Sequence, residues 1–233
     1  MSTQPITTPT STPLPQGAKP LAGDPALLHA LDFLQLELTH ACNLKCGHCY
    51  SDSNPHSGKN DRLGLTDYQR LIREAHALGA RRIQFLGGEP TLNRDLARLM
   101  EYAKTVGFDD IEIYSNLTTH ITTDLISYAA RLGARFATTF HSCDPEREDA
   151  FTKVRGSLAR KTRNLRAIRE HGLEVRSGVI IAGQPEADVL ATMAMLHSLG
   201  ITNLRNDRIR DFGRAREQVQ GAQVAELCGN CWK

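Results

Sequence analysis

The feature that most limits how this chain can fold is a repeat: short β-rich stretches alternate with amphipathic helical patterns, and each helical pattern stops at a glycine. Leu34-Gln35-Leu36-Glu37-Leu38 alternates apolar and polar residues as a strand does. Residues 83–86, 111–114, 136–140, 175–181 and 204–209 are short and rich in β-branched or aromatic side chains. Between them, Leu71, Ile72, Ala75 and Leu78 share one helical face, as do Leu96, Leu99, Met100 and Ala103, and then Leu125, Ile126, Ala129 and Leu132. Leu158, Leu165 and Ile168 form a weaker set, followed by Val189, Met193 and Leu196. Thr66 with Gln69 reads as a capping box for the first helix, and Pro185 suits the opening of the last. The stopping glycines, Gly79, Gly107, Gly133, Gly172 and Gly200, fall 28, 26, 39 and 28 residues apart. They suit the left-handed position just past a helix end. The long gap contains residues 142–156, expected to form an inserted loop.

Such alternation builds a parallel sheet with right-handed crossovers. A complete eight-unit barrel takes about 250 residues, or ~31 per unit, so residues 31–215 hold about six units. The expected fold class is α/β, a partial (β/α)6 TIM-like barrel open along one side. A doubly wound open sheet fits the periodicity nearly as well. Residues 1–28, rich in Ser, Thr and Pro, read as a disordered tail, 29–215 as the core and 216–233 as the start of an extension. The beginning carries neither the basic nor the apolar region of a signal peptide, and no apolar run approaches the ~20 residues of a membrane span. A cytoplasmic location with no membrane partner is therefore expected. A net charge of +2 gives no reason to propose nucleic acid. Lys153, Arg155, Arg160, Lys161, Arg163, Arg166 and Arg169 run without an intervening acid; this reads as a solvated helix face, or else as a docking surface for an acidic peptide or electron-transfer protein.

The chemistry gathers after the strands. Cys42, Cys46 and Cys49 stand at C-x3-C-x2-C directly after the first one. Three thiolates on so short a loop can bind three irons of a 4Fe–4S cube and leave the fourth open. A zinc loop completed by His40 or His48 is the alternative, and reduced surface cysteines a third. Gly87-Gly88-Glu89-Pro90 follows the second strand, Ser115-Asn116 the third and His141-Ser142-Cys143 the fourth. All lie at C-terminal strand ends, the face on which barrels of this kind build their sites. They are read as one site.

These two motifs, the cysteine loop after one strand and Gly-Gly-Glu-Pro after the next, resemble the radical SAM superfamily over roughly residues 33–212. The resemblance implies a 4Fe–4S cluster whose open iron takes the amino and carboxylate groups of S-adenosylmethionine (SAM). It also implies reductive cleavage to a 5′-deoxyadenosyl radical that abstracts hydrogen from a substrate. On this pattern Gly87 and Gly88 let backbone approach the ligand and hold the methionine amino group, Glu89 sets the turn and Pro90 stiffens it. A side chain at Gly88 is then expected to weaken SAM binding and spare the cluster. Ser115 and Asn116 match the ribose-contacting position, a turn or helix-start role being the other reading. Arg155 stands where related enzymes use an arginine for the SAM carboxylate, and His48 where the family has an aromatic residue near adenine. His141 and Cys143, outside the shared motif, are candidates to face the substrate, the thiol as a hydrogen-atom donor; the alternative is a loop cysteine beside a polar residue. Leu-Cys-Gly-x-Cys-Trp at 227–232 resembles the opening of a SPASM-type extension, with Cys228 and Cys231 as possible ligands of an auxiliary cluster that two thiols cannot complete.

The function expected is that of the peptide-maturase branch: modification or cross-linking of a ribosomally made peptide. The partners expected are a separate leader-binding protein and a reductant such as flavodoxin or ferredoxin. The alternatives are an enzyme acting on a small metabolite, a sugar or nucleoside, and a truncated, catalytically silent iron–sulfur fragment. Anaerobic reconstitution should load about four irons per chain, and replacing Cys42, Cys46 and Cys49 together by Ala should abolish them. Iron and sulfide analysis checks this; a colourless, zinc-only protein contradicts it.

Overall fold

Each expected β stretch forms a strand, and each pairs in parallel with the one before it, in a computed structural model that describes residues 31–209 and 213–217. The strands are β1 (Phe33–Glu37), β2 (Arg82–Leu86), β3 (Asp110–Tyr114), β4 (Arg135–Phe140), β5 (Val175–Ile181) and β6 (Leu204–Arg208), in that spatial order. The order decides between the two sheet readings. A doubly wound sheet reverses its strand order at a switch point. Here the order never reverses, so right-handed crossovers stack every helix on one side and curl the sheet. The curl shows in one cavity of about 910 Å³, lined both by Phe33, Gln35 and Glu37 of β1 and by Arg205, Asp207 and Arg208 of β6. In a flat sheet those two edges would stand roughly 24 Å apart, at ~4.8 Å per strand. The fold is a partial (β/α)6 barrel; among the described residues β6 and β1 do not pair, which leaves it open on that side.

The helices are α1 (Leu65–Ala77), α2 (Leu96–Val106), α3 (Thr123–Leu132), α4 (Pro145–Thr152), α5 (Ser157–Glu170) and α6 (Glu186–Ser198). Period-two alternation sorts the strand residues. Ile83, Phe85, Ile111, Ile113, Phe136 and Val179 pack with Ile72, Leu99, Met100, Leu165, Ile168 and Leu196 of the helices, all fully or almost fully buried. Burial of each such side chain is worth about 1.5–3 kcal/mol. The alternate strand positions, Gln35, Gln84, Glu112 and Arg176 among them, turn inward. Unlike the Val, Ile and Leu layers that fill a closed barrel, this interior is hollow, its wall a mixture of polar and charged side chains with apolar ones such as Phe33, Leu86 and Ile180. The helices end as expected: Gly107 and Gly133 cap α2 and α3 at φ 114° and 66°. The capping box at Thr66 is not formed. α1 begins at Leu65, and the Gly64 N–H donates to Asp67 Oδ2 at 2.9 Å, so Thr66 falls inside the first turn.

Residues 142–156 are not a loop. They contain α4, opened by Asp144, whose Oδ1 accepts the N–H groups of Glu146 and Arg147 at 2.9 Å, with Pro145 in the first turn. No apolar stripe announced this helix because what it buries is polar: Glu148 and Thr152. Glu148 meets Lys161 of α5, which is equally buried and therefore not part of a solvated basic face. The Lys161 ammonium donates to Glu148 Oε1 and to the Thr139 carbonyl, each at 2.5 Å. Glu148 Oε2 accepts the N–H groups of His141 and Ser142 at 2.9 and 3.1 Å. Burial alone would raise the Glu148 pKa; Lys161 and His141 outweigh it and hold the carboxyl well below its ordinary 4.5. The other end of α4 grips the cysteine loop: its Phe151 and Thr152 carbonyls accept the N–H groups of Gly47 and Lys45 at 3.1 Å.

Removing one member of this pair leaves the other charged and buried, which should cost about 3 kcal/mol. Urea unfolding should show that loss for Glu148→Gln and for Lys161→Met, with partial recovery in the double variant. Since the folded-state pKa of Glu148 is depressed, its contribution is complete above about pH 4.5 and falls away as the pH drops below it. Additive single effects with no recovery would contradict the pairing.

Candidate active site

The loops after β1 and β2 keep running side by side once the sheet has ended. Leu38 N–H donates to Leu86 O at 2.8 Å, Gly88 N–H to Thr39 O at 2.7 Å and Glu89 N–H to Ala41 O at 2.9 Å. That contact gives the glycines a packing role that the sequence does not show. A Cβ on Gly88 would lie 2.3 Å from the Ala41 carbonyl oxygen, and one on Gly87, at φ 151°, 2.5 Å from that of Thr39. What these glycines approach is the backbone of the segment leading into the cysteines. A side chain at Gly88 would therefore displace the cysteine loop rather than spare it.

Glu89 joins the next loop. Fully buried, it accepts from Ser115 Oγ at 2.8 Å and Thr91 Oγ1 at 2.7 Å through Oε1, and from Asn116 N–H at 2.8 Å through Oε2. It also caps the short 3-10 turn Pro90–Leu92. Asn116 Nδ2 in turn donates to Asn43 Oδ1 at 3.0 Å and reaches Cys42 Sγ at 3.6 Å, while Asn43 Nδ2 donates to Thr118 Oγ1 at 2.7 Å. Ser115 is buried within this network and Asn116 half-buried beside the first cysteine.

None of the three cysteines is in a disulfide; Cys42 is buried, and Cys46 and Cys49 are half-buried. Leu44 N–H donates to Cys42 Sγ at 3.4 Å. Burial pushes the Cys42 and Cys46 thiols up to about 12 and about 11, so their thiolates need a cationic partner. Three thiolates on one loop can each bind one iron of a cube. The alternative fourth ligands are engaged elsewhere, His40 with Asp61 at 3.1 Å and His48 with His141 at 3.0 Å. The donor set fits a cluster.

His141 stands against the cysteine loop, although the sequence gives only its place after β4. Its Nδ1 faces the Glu148 carboxylate at 3.3 Å and its Nε2 faces His48 Nε2. Hydrogen-bond partners assign the protons: His141 Nδ1–H points at the carboxylate, so its bare Nε2 accepts from His48 Nε2–H. That leaves His48 Nδ1 bare, and it is a buried nitrogen with no partner. Burial, with His141 and Lys161 nearby, pushes the His48 imidazole down to about 3, and burial lowers His141 as well. Phe151 of α4 stacks on the His141 ring at 5.0 Å. Lys161 had one sequence signal: it falls on the same face as Leu158, Leu165 and Ile168, the buried stripe of α5.

His48 also lines the 910 Å³ cavity, with Tyr50, Glu37 and Tyr114. The cavity has a polar belt. Gln35 donates to Gln84 at 2.8 Å, Gln84 donates to Glu112, and Glu112 accepts from Arg176 twice at 2.8 Å and from Arg135 at 3.0 Å. A second hollow, of about 690 Å³, lies near Asp61 and Arg98; the barrel cavity is the candidate because His48 and Tyr50, the neighbours of Cys49, line it. Arg155 is exposed between α4 and α5 and does not line that cavity. Cys143 turns toward α6, its N–H donating to Thr192 Oγ1 at 2.8 Å and its sulfur 3.9 Å from Asp188. Cys228 and Cys231 lie outside the described residues.

Comparison with known proteins bears on this arrangement. The family described as the radical SAM superfamily matches residues 36–196. GTP 3′,8-cyclase of Rhodopseudomonas palustris is 26% identical over 180 residues, 73% of this chain and 51% of that protein. The antilisterial bacteriocin subtilosin biosynthesis protein AlbA of Bacillus subtilis is 26% identical over 208 residues, 87% of this chain and 44% of that protein. The chain thus spans about half the length of these curated relatives. Streptococcus suis SuiB, solved with S-adenosylmethionine, superposes with a TM-score of 0.67 at 17% identity, covering 84% of this chain and 41% of that one; SuiB has also been solved bound to its precursor peptide SuiA. This chain belongs to the radical SAM superfamily, enzymes that use a 4Fe–4S cluster and S-adenosylmethionine.

Proposed function

We propose that Cys42, Cys46 and Cys49 hold the cluster and that the protein acts on a ribosomally made peptide, which it modifies or cross-links. The observation that carries this reading is three sulfurs at C-x3-C-x2-C, on a loop bonded to Gly-Gly-Glu-Pro, beside a cavity lined by both polar and apolar side chains in the partial barrel. When bound, cluster and SAM supply a 5′-deoxyadenosyl radical that abstracts hydrogen. The chain's own groups do the rest. Gly87 and Gly88 fix the cysteine loop by close packing, and Glu89 holds Ser115 and Asn116 at the rim, where the Asn116 amide faces Cys42. His48 is oriented through His141 and Glu148, so that its bare Nδ1 offers an acceptor to an N–H of the ligand. The belt around Glu112 gives the cavity a fixed polar lining for substrate amides.

Two facts favour a peptide. AlbA is matched over 87% of this chain, and among the described residues β6 and β1 do not pair, which leaves a side opening that suits an extended chain. A small metabolite is the second reading, favoured by the similarity to GTP 3′,8-cyclase and by a cavity volume within the ~300–1,000 Å³ of small-molecule sites. We assign the protein to the cytoplasm, where thiols stay reduced; among the described residues no helix is long and apolar enough to cross a membrane. A separate leader-binding protein and a flavodoxin- or ferredoxin-like reductant complete the proposed system.

The reconstituted protein, given dithionite and SAM, should form 5′-deoxyadenosine, and should do so faster with a short precursor peptide encoded beside its gene than with GTP. Mass spectrometry of both substrates checks this. Consumption of GTP alone would establish the second reading, and a loaded cluster with no SAM cleavage would mean a silent fragment. Gly88→Val should lose iron and SAM cleavage together; full iron with lost cleavage would point to direct ligand contact as the role of Gly88 in place of the packing.

A further inference from the structure

After β6 the chain returns to the cysteine loop. Residues Gly213–Glu217 form a short 3-10 turn there, and Ala215 is buried. Gly213 packs so closely that a Cβ would lie 2.2 Å from the Cys49 carbonyl oxygen and 2.5 Å from that of Tyr50. What the turn delivers is Arg214. Its N–H donates to Cys49 O at 3.0 Å, its Nε to Cys46 O at 2.9 Å and its Nη2 to Ser53 O at 2.7 Å. A residue 168 positions from Cys46 thus bonds to the main chain of two of the three proposed ligands. The guanidinium is a fixed, positively charged fork, so it brings a charge as well as a clamp. It is half-buried, where that charge is incompletely screened.

We propose that Arg214 is a positioning residue for the cluster. It locks the main chain between Cys46 and Ser53, and its charge makes the cluster easier to reduce. The proposal rests on the reading that Cys42, Cys46 and Cys49 hold a cluster. The physical reason is direct. Reduction adds one negative charge to the cluster, and a neighbouring cation stabilises the reduced form more than the oxidised one; charge and hydrogen bonding are among the terms that set such potentials. In this way a segment beyond the last strand, well outside the cysteine motif, tunes the electron-accepting step.

The test is a redox titration of the reconstituted full chain, followed by EPR, comparing the parent with Arg214→Gln and Arg214→Lys. Arg214→Gln removes the charge, and at a fixed potential should lower the reduced-to-oxidised ratio roughly tenfold, about 59 mV for a one-electron couple. Arg214→Lys keeps the charge and should stay near the parent potential. A fully loaded Arg214→Gln cluster with an unchanged potential and EPR signal overturns the proposal. If Arg214→Gln loads no iron, recovery of both iron and potential in Arg214→Lys supports it. Failure of both variants to load, with parent-like circular dichroism, reduces Arg214 to a main-chain staple and overturns the redox role. A parent protein that binds no iron refutes the cluster reading itself, and is thereby distinguished from a failure of Arg214.

Discussion

The site depends on two main-chain hydrogen bonds, Gly88 N–H to Thr39 O and Glu89 N–H to Ala41 O. They carry the parallel pairing of β1 and β2 past the end of the sheet and into the loops. Parallel pairing at that distance leaves no room for a Cβ at Gly87 or Gly88. The same bonds fix where Glu89 enters the interior, and so where Ser115 and Asn116 come to rest. Position in the sheet thereby becomes position in the site. The cysteines are placed by the strands through backbone contacts, before any ligand contributes.

A second constraint is that each strand serves both the core and the cavity wall. Apolar residues face the helices, while Gln35, Gln84 and Arg176 line the hollow together with apolar neighbours such as Phe33 and Leu86, so strand alternation builds the core and the cavity wall together. Buried charge is costly unless it is paired, and the pairing is extensive. Glu112 collects Arg176, Arg135 and Gln84; Glu148 collects Lys161 and the backbone at His141. The latter set ties α4 and α5 to the end of β4 and, through His141, to His48 in the cysteine loop. With α4 on one side and Arg214 on the other, the loop is held by its own main chain, which suits a segment that must present three sulfurs in fixed positions.

Much of the fold was legible in the sequence because it rests on local patterns: period-two strands, helical stripes, and glycines such as Gly107 and Gly133 whose left-handed backbone ends a helix. That the cysteine loop, residues 87–90, Ser115–Asn116 and His141 meet was legible too, since parallel βα units bring every strand's C-terminal end to one face; Cys143 turns toward α6 instead. What was not legible depends on partners distant in sequence. α4 buries polar residues, so no hydrophobic periodicity marked it. Lys161 looked like one more cation in a basic run, and only its counter-charge at Glu148 makes it a core residue. The packing of Gly88 was not legible, because its neighbour across the loop, Ala41, is visible only in three dimensions. Arg214 had no signal in its own surroundings.

The central claim is that three cysteines hold a four-iron cluster and leave one iron open for SAM. Mössbauer spectroscopy of the protein reconstituted with isotopically enriched iron tests it most directly, recorded with and without SAM. The account predicts that SAM shifts about one quarter of the iron signal, the one iron without a cysteine, and leaves the other three little changed. A spectrum that SAM does not alter, or one in which all the iron responds alike, would contradict it.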